Sequence, residues 1–296
     1  MRYYIVAFDT DNRPELTVRR MPFTFDDDIN VKWHPDKPEW SYMVNAASLA
    51  MPFLEPYLIR TMKKALPKIE DPALHAEIKG YIGQEAQHYQ QHKKFNDVLK
   101  ASGYPGLEDI EKQMAAEFDH FEKHKSLEFN LAYAAGFESM ALALGHWLIK
   151  HREYLFGGSD SRVASLILWH FVEEIEHKNA AFDAYQALHG KYWYRIYGIF
   201  FASLHVMKHS RRGYIAMMKK DGHWSNVGSR LNIIKYNLKF LGGLGYGLLS
   251  SFLPNHHPSD TKDPEWSDRW IKSWEEGGEK LELLDTNNLT SPVGAG

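Results

Sequence analysis

From about Tyr42 onward, apolar residues recur at steps of three and four, the spacing that lines one side of an α-helix. One stripe runs Leu74, Ile78, Tyr81, Glu85, His88, His92, Phe95 and Leu99. A second runs Leu127, Leu131, Ala134, Glu138, Ala141, Gly145 and Leu148, and a third Val163, Leu166, His170, Glu174, His177, Ala181, Ala184 and Leu188. Helix-stop and loop signals separate them: Pro67 to Pro72, Gly103-Tyr104-Pro105-Gly106, Gly157-Gly158 and Gly190. There is no alternation of strands with helices and no repeat of solenoid length, so the predicted class is all-α. Residues 1–40, rich in Asp, Pro and aromatics, read as an extended N-terminal arm with a short β pair around Leu16–Val18 and Phe23–Phe25. Residues 41–255 read as the helical domain with its covering helices, and 256–296 as a polar, loose C-terminal tail.

Two apolar runs, Ile196–Met207 and Phe240–Leu253, are too short to span a bilayer and read first as buried helices. The competing reading is a hydrophobic lip that touches a membrane or an apolar substrate. The N-terminus has no apolar core of signal-peptide length, so the expected location is cytoplasmic, with peripheral membrane contact as a variant.

Composition narrows the chemistry. The chain has no cysteine, which excludes thiolate zinc sites, cysteine nucleophiles and iron–sulfur clusters. Its 35 basic and 38 acidic residues give a net charge of −3, without the basic footprint that nucleic acid requires. Sixteen histidines in 296 residues raise the question of a metal.

The stripes answer it. Each is apolar at both ends and ionisable in the middle, and an unpaired buried carboxylate costs several kcal/mol or is forced to protonate. The pattern is Glu55, Glu85-x-x-His88, Glu138, Glu174-x-x-His177: twice, a lone Glu followed one helix–turn–helix later by a Glu-x-x-His. Glu and His three apart share a helix face, so four helices can bring both copies around two ions, the ligand set of ferritin-like di-metal bundles. The expected fold is therefore a ferritin-like four-helix bundle with additional C-terminal helices. His170, one turn before Glu174, is a seventh candidate ligand; Glu173 and Glu176 fall off the stripe, which favours Glu174. His92, one turn past His88, is expected to orient a ligand, supported by Gln84 and Asn96. Glu55 lies between Pro52 and Pro56, so its helix must begin near Pro52 or bend there. A third Glu-x-x-His, Glu117 to His120, lies off its apolar stripe and reads as a solvated face. His205 and His209, one turn apart, read against a surface metal site; Arg211 and Arg212 beside them would suit a carboxylate or phosphate head group.

The run YIGQEAQHYQQHKKFN resembles the signature of a bacterial family described as predicted metal-dependent hydrolases, as do VRRMPF, NAASLAMPFLEP and FVEEIEHK. The resemblance spans roughly residues 15–260. Di-iron N-oxygenases of aryl amines, in the wider ferritin-like group, are similar in their ligand pattern, which implies Glu55, Glu85, His88, Glu138, His170, Glu174 and His177 as ligands here. Four carboxylates neutralise two divalent ions, and a mixed oxygen and nitrogen shell suits iron, with manganese or a mixed pair as substitutes and zinc less suited. The expected function is oxidation of a small, fairly apolar molecule by O2 at two iron ions, with no catalytic side chain beyond the ligands. Hydrolysis by a metal-bound hydroxide and non-enzymatic metal handling are the alternatives. The expected partners are that substrate, O2 and an electron donor, with a second copy of the chain and a lipid surface as further candidates. Small residues around Glu138 leave open whether they make room for substrate or allow helices to touch, and the aromatic segment Tyr192–Met218 is a candidate cover for the open end of the bundle.

Overall fold

The computed structural model describes residues 15–25, 28–278, 280 and 282–292. It is all-α, without a β-strand among the described residues. In chain order the helices are α1 (Pro38–Ser48), α2 (Met51–Ala65), α3 (Pro72–Ala101), α4 (Leu107–His124), α5 (Leu127–Lys150), α6 (Arg152–Phe156), α7 (Ser161–Glu176), α8 (Ala180–Leu188), α9 (Tyr192–Lys220), α10 (Val227–Leu248) and α11 (Glu265–Glu276).

The starts of three long helices are written in the sequence. Asp71 accepts from the Ala73 N–H just before Pro72, Ser126 from Phe129 and Asp160 from Arg162, so each N-terminus has a side chain satisfying an orphan donor. Pro52 lies in the first turn of α2, where a proline is tolerated, and Pro56 follows inside the helix. The stripe from Val163 to Leu188 is two helices: the chain leaves helical geometry at His177, and α8 turns to pack on α5 and α3.

Helix α5 is the axis. It is buried nearly all round, packing on α2, α7, α8, α9 and α10, as expected of a helix apolar on every side. Where α5 crosses α9, a Cβ on Gly136 would lie 2.3 Å from the Gly198 carbonyl carbon, and one on Gly198 would lie 2.1 Å from the Ala132 oxygen. A Cβ on Gly145 would meet Phe171 and Ile175 at 3.3 Å, a tight but looser approach. These glycines of α5 therefore serve close helix contact, not open space.

Three expectations need correction. The predicted β pair does not form: residues 16–23 have no regular secondary structure and lie against helices. Leu16, Arg19, Met21 and Phe23 are buried, and Gly80 and Gly83 of α3 make room for Leu16 and Val18. Residues 1–14 of the expected arm lie outside the described residues. The polar tail is not loose where described: α11 packs on α7, its Trp266, Trp270 and Trp274 are buried, and so are Leu284 and Leu289. The apolar runs in α9 and α10 are buried on one side only. Ile199, Ala202, Leu244 and Leu248 face inward, while Phe200, Leu204, Leu241 and Leu249 are exposed.

Candidate metal centre

Four helices each send side chains to one buried point. Glu55 comes from α2, Glu85 and His88 from α3, Glu138 from α5, and His170 and Glu174 from α7, with His177 at its C-terminal cap. All seven are buried, none more than 4% exposed. They form two groups. Ligand atoms of Glu55, His88 and His170 lie within 4.8 Å of one another, and so do those of Glu85, Glu138, Glu174 and His177.

Two carboxylates connect the groups. Glu174 Oε1 is 2.8 Å from His170 Nε2 and 3.6 Å from His88 Nδ1, while its Oε2 is 3.3 Å from His177 Nε2. Glu85 Oε2 faces His88 Nδ1 at 3.9 Å, and its Oε1 faces His177 Nε2 at 3.5 Å. Glu55 Oε1 reaches only His170, at 3.7 Å, and Glu138 Oε2 only His177, at 3.3 Å.

Hydrogen bonds on the far side of each ring set what it presents to this point. Asn96 Nδ2 donates to the Ser48 carbonyl at 2.8 Å, so Asn96 Oδ1 takes the Ser48 hydroxyl hydrogen at 2.7 Å. The Ser48 oxygen then accepts from His92 Nδ1 at 2.8 Å, and His92 Nε2 accepts from His170 Nδ1 at 2.6 Å. His170 Nε2 is left with its lone pair facing Glu55 and Glu174. Gln84 Nε2 donates to the Thr17 carbonyl and to Glu176, so Gln84 Oε1 accepts from His177 Nδ1 at 3.0 Å and His177 Nε2 faces three carboxylates with a lone pair. Glu173 Oε2 accepts from His88 Nε2 at 2.9 Å, leaving His88 Nδ1 as an acceptor.

Every inward group is thus an acceptor, and Tyr81, which donates to Glu138 Oε1 at 2.7 Å, is the one donor among these contacts. Both oxygens of Glu55 and of Glu85, one each of Glu138 and Glu174, His88 Nδ1 and His177 Nε2 have no hydrogen-bond partner. Left so, each would cost about 1–3 kcal/mol or more. Two cations remove the conflict, and the donor set fits them: four carboxylates and three imidazoles. Without cations, protons are drawn in. Burial and the neighbouring carboxylates push Glu55 and Glu85 well above the usual carboxylate range, and burial with Glu174 lifts Glu138 to about 7. Burial would lower His177, but Glu174 and Glu138 hold it well above the usual histidine value. Burial and His170 hold His88 and His92 low.

The structure also brings in groups the stripes did not disclose. Glu173, off the stripe, is fully buried between His88 and Arg19, whose Nη1 donates to Glu173 Oε1 at 3.0 Å. Arg19 also grips Glu176 through two hydrogen bonds of 2.7 and 3.0 Å. The signal for Arg19 was its place in VRRMPF; nothing in the helical period points to it. Ser48 is likewise added, and Tyr81, which stood on the first stripe as a core position, proves to be a hydrogen-bond donor to Glu138. Gln84 touches His177 directly, whereas Asn96 acts at one remove, through Ser48.

A third group needs a correction. Glu117 is not on a solvated face: its Oε2 lies 2.8 Å from His205 Nε2 and 2.6 Å from His209 Nε2 of α9, whereas His120 is exposed. This trio differs from the central one. Both rings can donate to the one oxygen, Tyr133 contacts His205 Nδ1 at 2.8 Å, and Lys208 and Gln113 occupy Glu117 Oε1. Both Glu117 oxygens are thus satisfied, although His209 Nδ1 is buried without a partner, and the Lys208 ammonium stands beside the carboxylate where a metal would compete with it.

Beside the centre, a cavity of about 90 Å³ opens between α1, α5, α7 and α10. Trp40, Met43, Leu144, Phe171 and Phe240 line it, and His92 and His170 lie at its polar end. No residue of α9 lines it, so the aromatic segment Tyr192–Met218 does not cover it; α1 and Phe240 of α10 do.

No curated protein and no solved structure matches the chain significantly. A family model described as "predicted metal-dependent hydrolase" matches residues 17–262, a span that takes in the whole centre and Arg19, and the chain belongs to that family.

Proposed function

We propose that this chain is a non-haem di-iron enzyme of ferritin-like type that uses O2 to oxidise a small, fairly apolar organic molecule, with an external electron donor. One observation carries the reading: seven buried side chains present only acceptor atoms to a shared space. Glu55, His88 and His170 would hold one ion, Glu138 and His177 the other, and Glu85 and Glu174 would reach both. The ions, when bound, would supply electrons to O2 and an acidic centre for oxygen ligands. The chain's own work is to orient His170 through the His92–Ser48–Asn96 relay, His177 through Gln84 and His88 through Glu173. Burial keeps bulk water from the centre, and the apolar cavity favours a substrate without charge.

The family description supports a second reading, hydrolysis by a metal-activated water. The two diverge in one assay. The iron-loaded, reduced protein should consume O2 and be replaced poorly by its zinc form. Turnover of an ester or amide without O2, undiminished with zinc, would overturn the oxidase reading in favour of the hydrolase.

A further inference from the structure

Helix α10 is apolar on two opposite sides. Ile233, Tyr236, Leu244 and Leu248 face the protein and are buried. Val227, Leu231, Ile234, Leu238 and Leu241, at steps of four and three, face outward and are exposed, Leu231 at 61% and Leu238 at 65%. An inner apolar face anchors a surface helix to its core; the outer one has no such explanation. The stripe continues beyond the helix through Leu249 and Leu253. There Phe252 stacks on Phe200 of α9, at 5.3 Å between ring centroids, so it joins the exposed Trp193, Phe200 and Leu204.

Charge separates the possible occupants. Between Tyr192 and Leu253 there are nine Lys or Arg and a single acid, Asp221, which Tyr42 and Tyr104 hold through hydrogen bonds. On α10 the cations border the apolar stripe: Arg230 lies on one side, Lys235 and Lys239 on the other, all exposed, with the Lys239 ammonium standing 4.0 Å over the Tyr154 ring. Another apolar protein face would gain nothing from that border. An in-plane amphipathic helix on an anionic bilayer needs it: apolar side chains in the acyl boundary, cations at the phosphates, aromatics such as the 80%-exposed Tyr246 between. No helix of the described residues is long and apolar enough to cross a membrane, so contact along the surface is the geometry left to it.

We propose that the outer face of α10, extended by the first half of α9, docks this protein on an anionic lipid surface. Phe240 of the same helix lines the cavity beside His170, so docking would set that cavity next to the lipid. The docking itself does not depend on what the metal centre does.

Sedimentation with vesicles tests it. The full chain should pellet with vesicles of phosphatidylcholine and phosphatidylglycerol at three to one, far less with phosphatidylcholine alone, and less at high salt. Lys235→Ala with Lys239→Ala should lower the partition coefficient by roughly thirtyfold. Leu231→Glu with Leu238→Glu should abolish binding while leaving the melting temperature and helical circular dichroism unchanged, since both residues are exposed. Wild-type protein that ignores every vesicle overturns the proposal, as does a double-Glu variant that binds like wild type. A wild-type dimer that ignores vesicles and becomes monomeric in the double-Glu variant would instead make this face a contact between copies, and the proposal fails.

Discussion

Glu173 Oε2 lies 2.9 Å from His88 Nε2, and this contact decides which nitrogen of His88 faces the centre. Glu173 is itself held from behind by Arg19. In Glu173→Ala, His88 loses its orienting acceptor while every proposed ligand remains. Iron affinity, measured by chelator competition, should fall about 10–100-fold. An unchanged affinity would mean that His88 is positioned by packing alone.

The relay behind His170 predicts an unequal effect. His92→Ala removes the acceptor for His170 Nδ1, at the end of the centre that holds Glu55. One of two ions should weaken about 10–100-fold and the other should hold. Calorimetric titration with Mn2+ should then show two separated binding steps in place of the wild-type pair. Equal weakening of both would sink the division into two unequal halves.

Stoichiometry separates the centre from the trio on α4 and α9. Metal analysis should give about two ions per chain. His177→Ala and Glu174→Ala should lower that number, and His209→Ala should not, because both Glu117 oxygens are already taken, by the two histidines, Lys208 and Gln113. A third ion that disappears in His209→Ala would refute this.

Acidity offers a test independent of turnover. Glu55, Glu85 and Glu138 are raised, as is His177, so the metal-free folded chain binds more protons near neutrality than the unfolded one. Stability that depends on those protons is lost as pH rises. His88 and His92 are lowered, which acts in the opposite sense but only below about 6.5, where the unfolded histidines titrate. The melting temperature of metal-free protein should therefore fall between pH 6.5 and 8, and less so with metal bound. Loading Mn2+ at pH 7 in weak buffer should release protons, because the ions displace them.

Arg19 is 1% exposed and paired with two carboxylates. Arg19→Leu leaves Glu173 buried without its cation, a change that costs about 3–5 kcal/mol. Urea denaturation of the metal-loaded protein measures it, and a loss below about 1 kcal/mol would place Arg19 among ordinary surface pairs.

Six of the seven central residues were legible because helical period and ionisable chemistry contradict each other on three stripes, and that contradiction survives in the fold; Glu55, on none of them, was legible only as the lone Glu that precedes Glu85-x-x-His88 as Glu138 precedes Glu174-x-x-His177. What supports them was less legible. Glu173 faces a different way from Glu174, and only the bend of the arm over α7 reveals why it is buried. The arm itself alternates buried and exposed residues from Arg19 to Phe23, which mimics a strand; the period tells that one side is covered, not that helices cover it. At the other end, low mean hydropathy hid α11, although Trp266, Trp270 and Trp274 at steps of four marked an inward edge. The helical runs in α9 and α10 were found, but nothing local distinguishes an apolar side that meets the core from one that does not.

The crossing of Gly136 and Gly198 has a consequence for Glu138, two residues along the same helix. Two bare backbones in contact leave no side chain to repack, so neither helix can slide on the other. A slip of one residue would carry Glu138 about 1.5 Å along its axis and turn it away from His177. Helix α9 contributes nothing to the proposed coordination, yet it works as the ruler against which the reach of one carboxylate is measured.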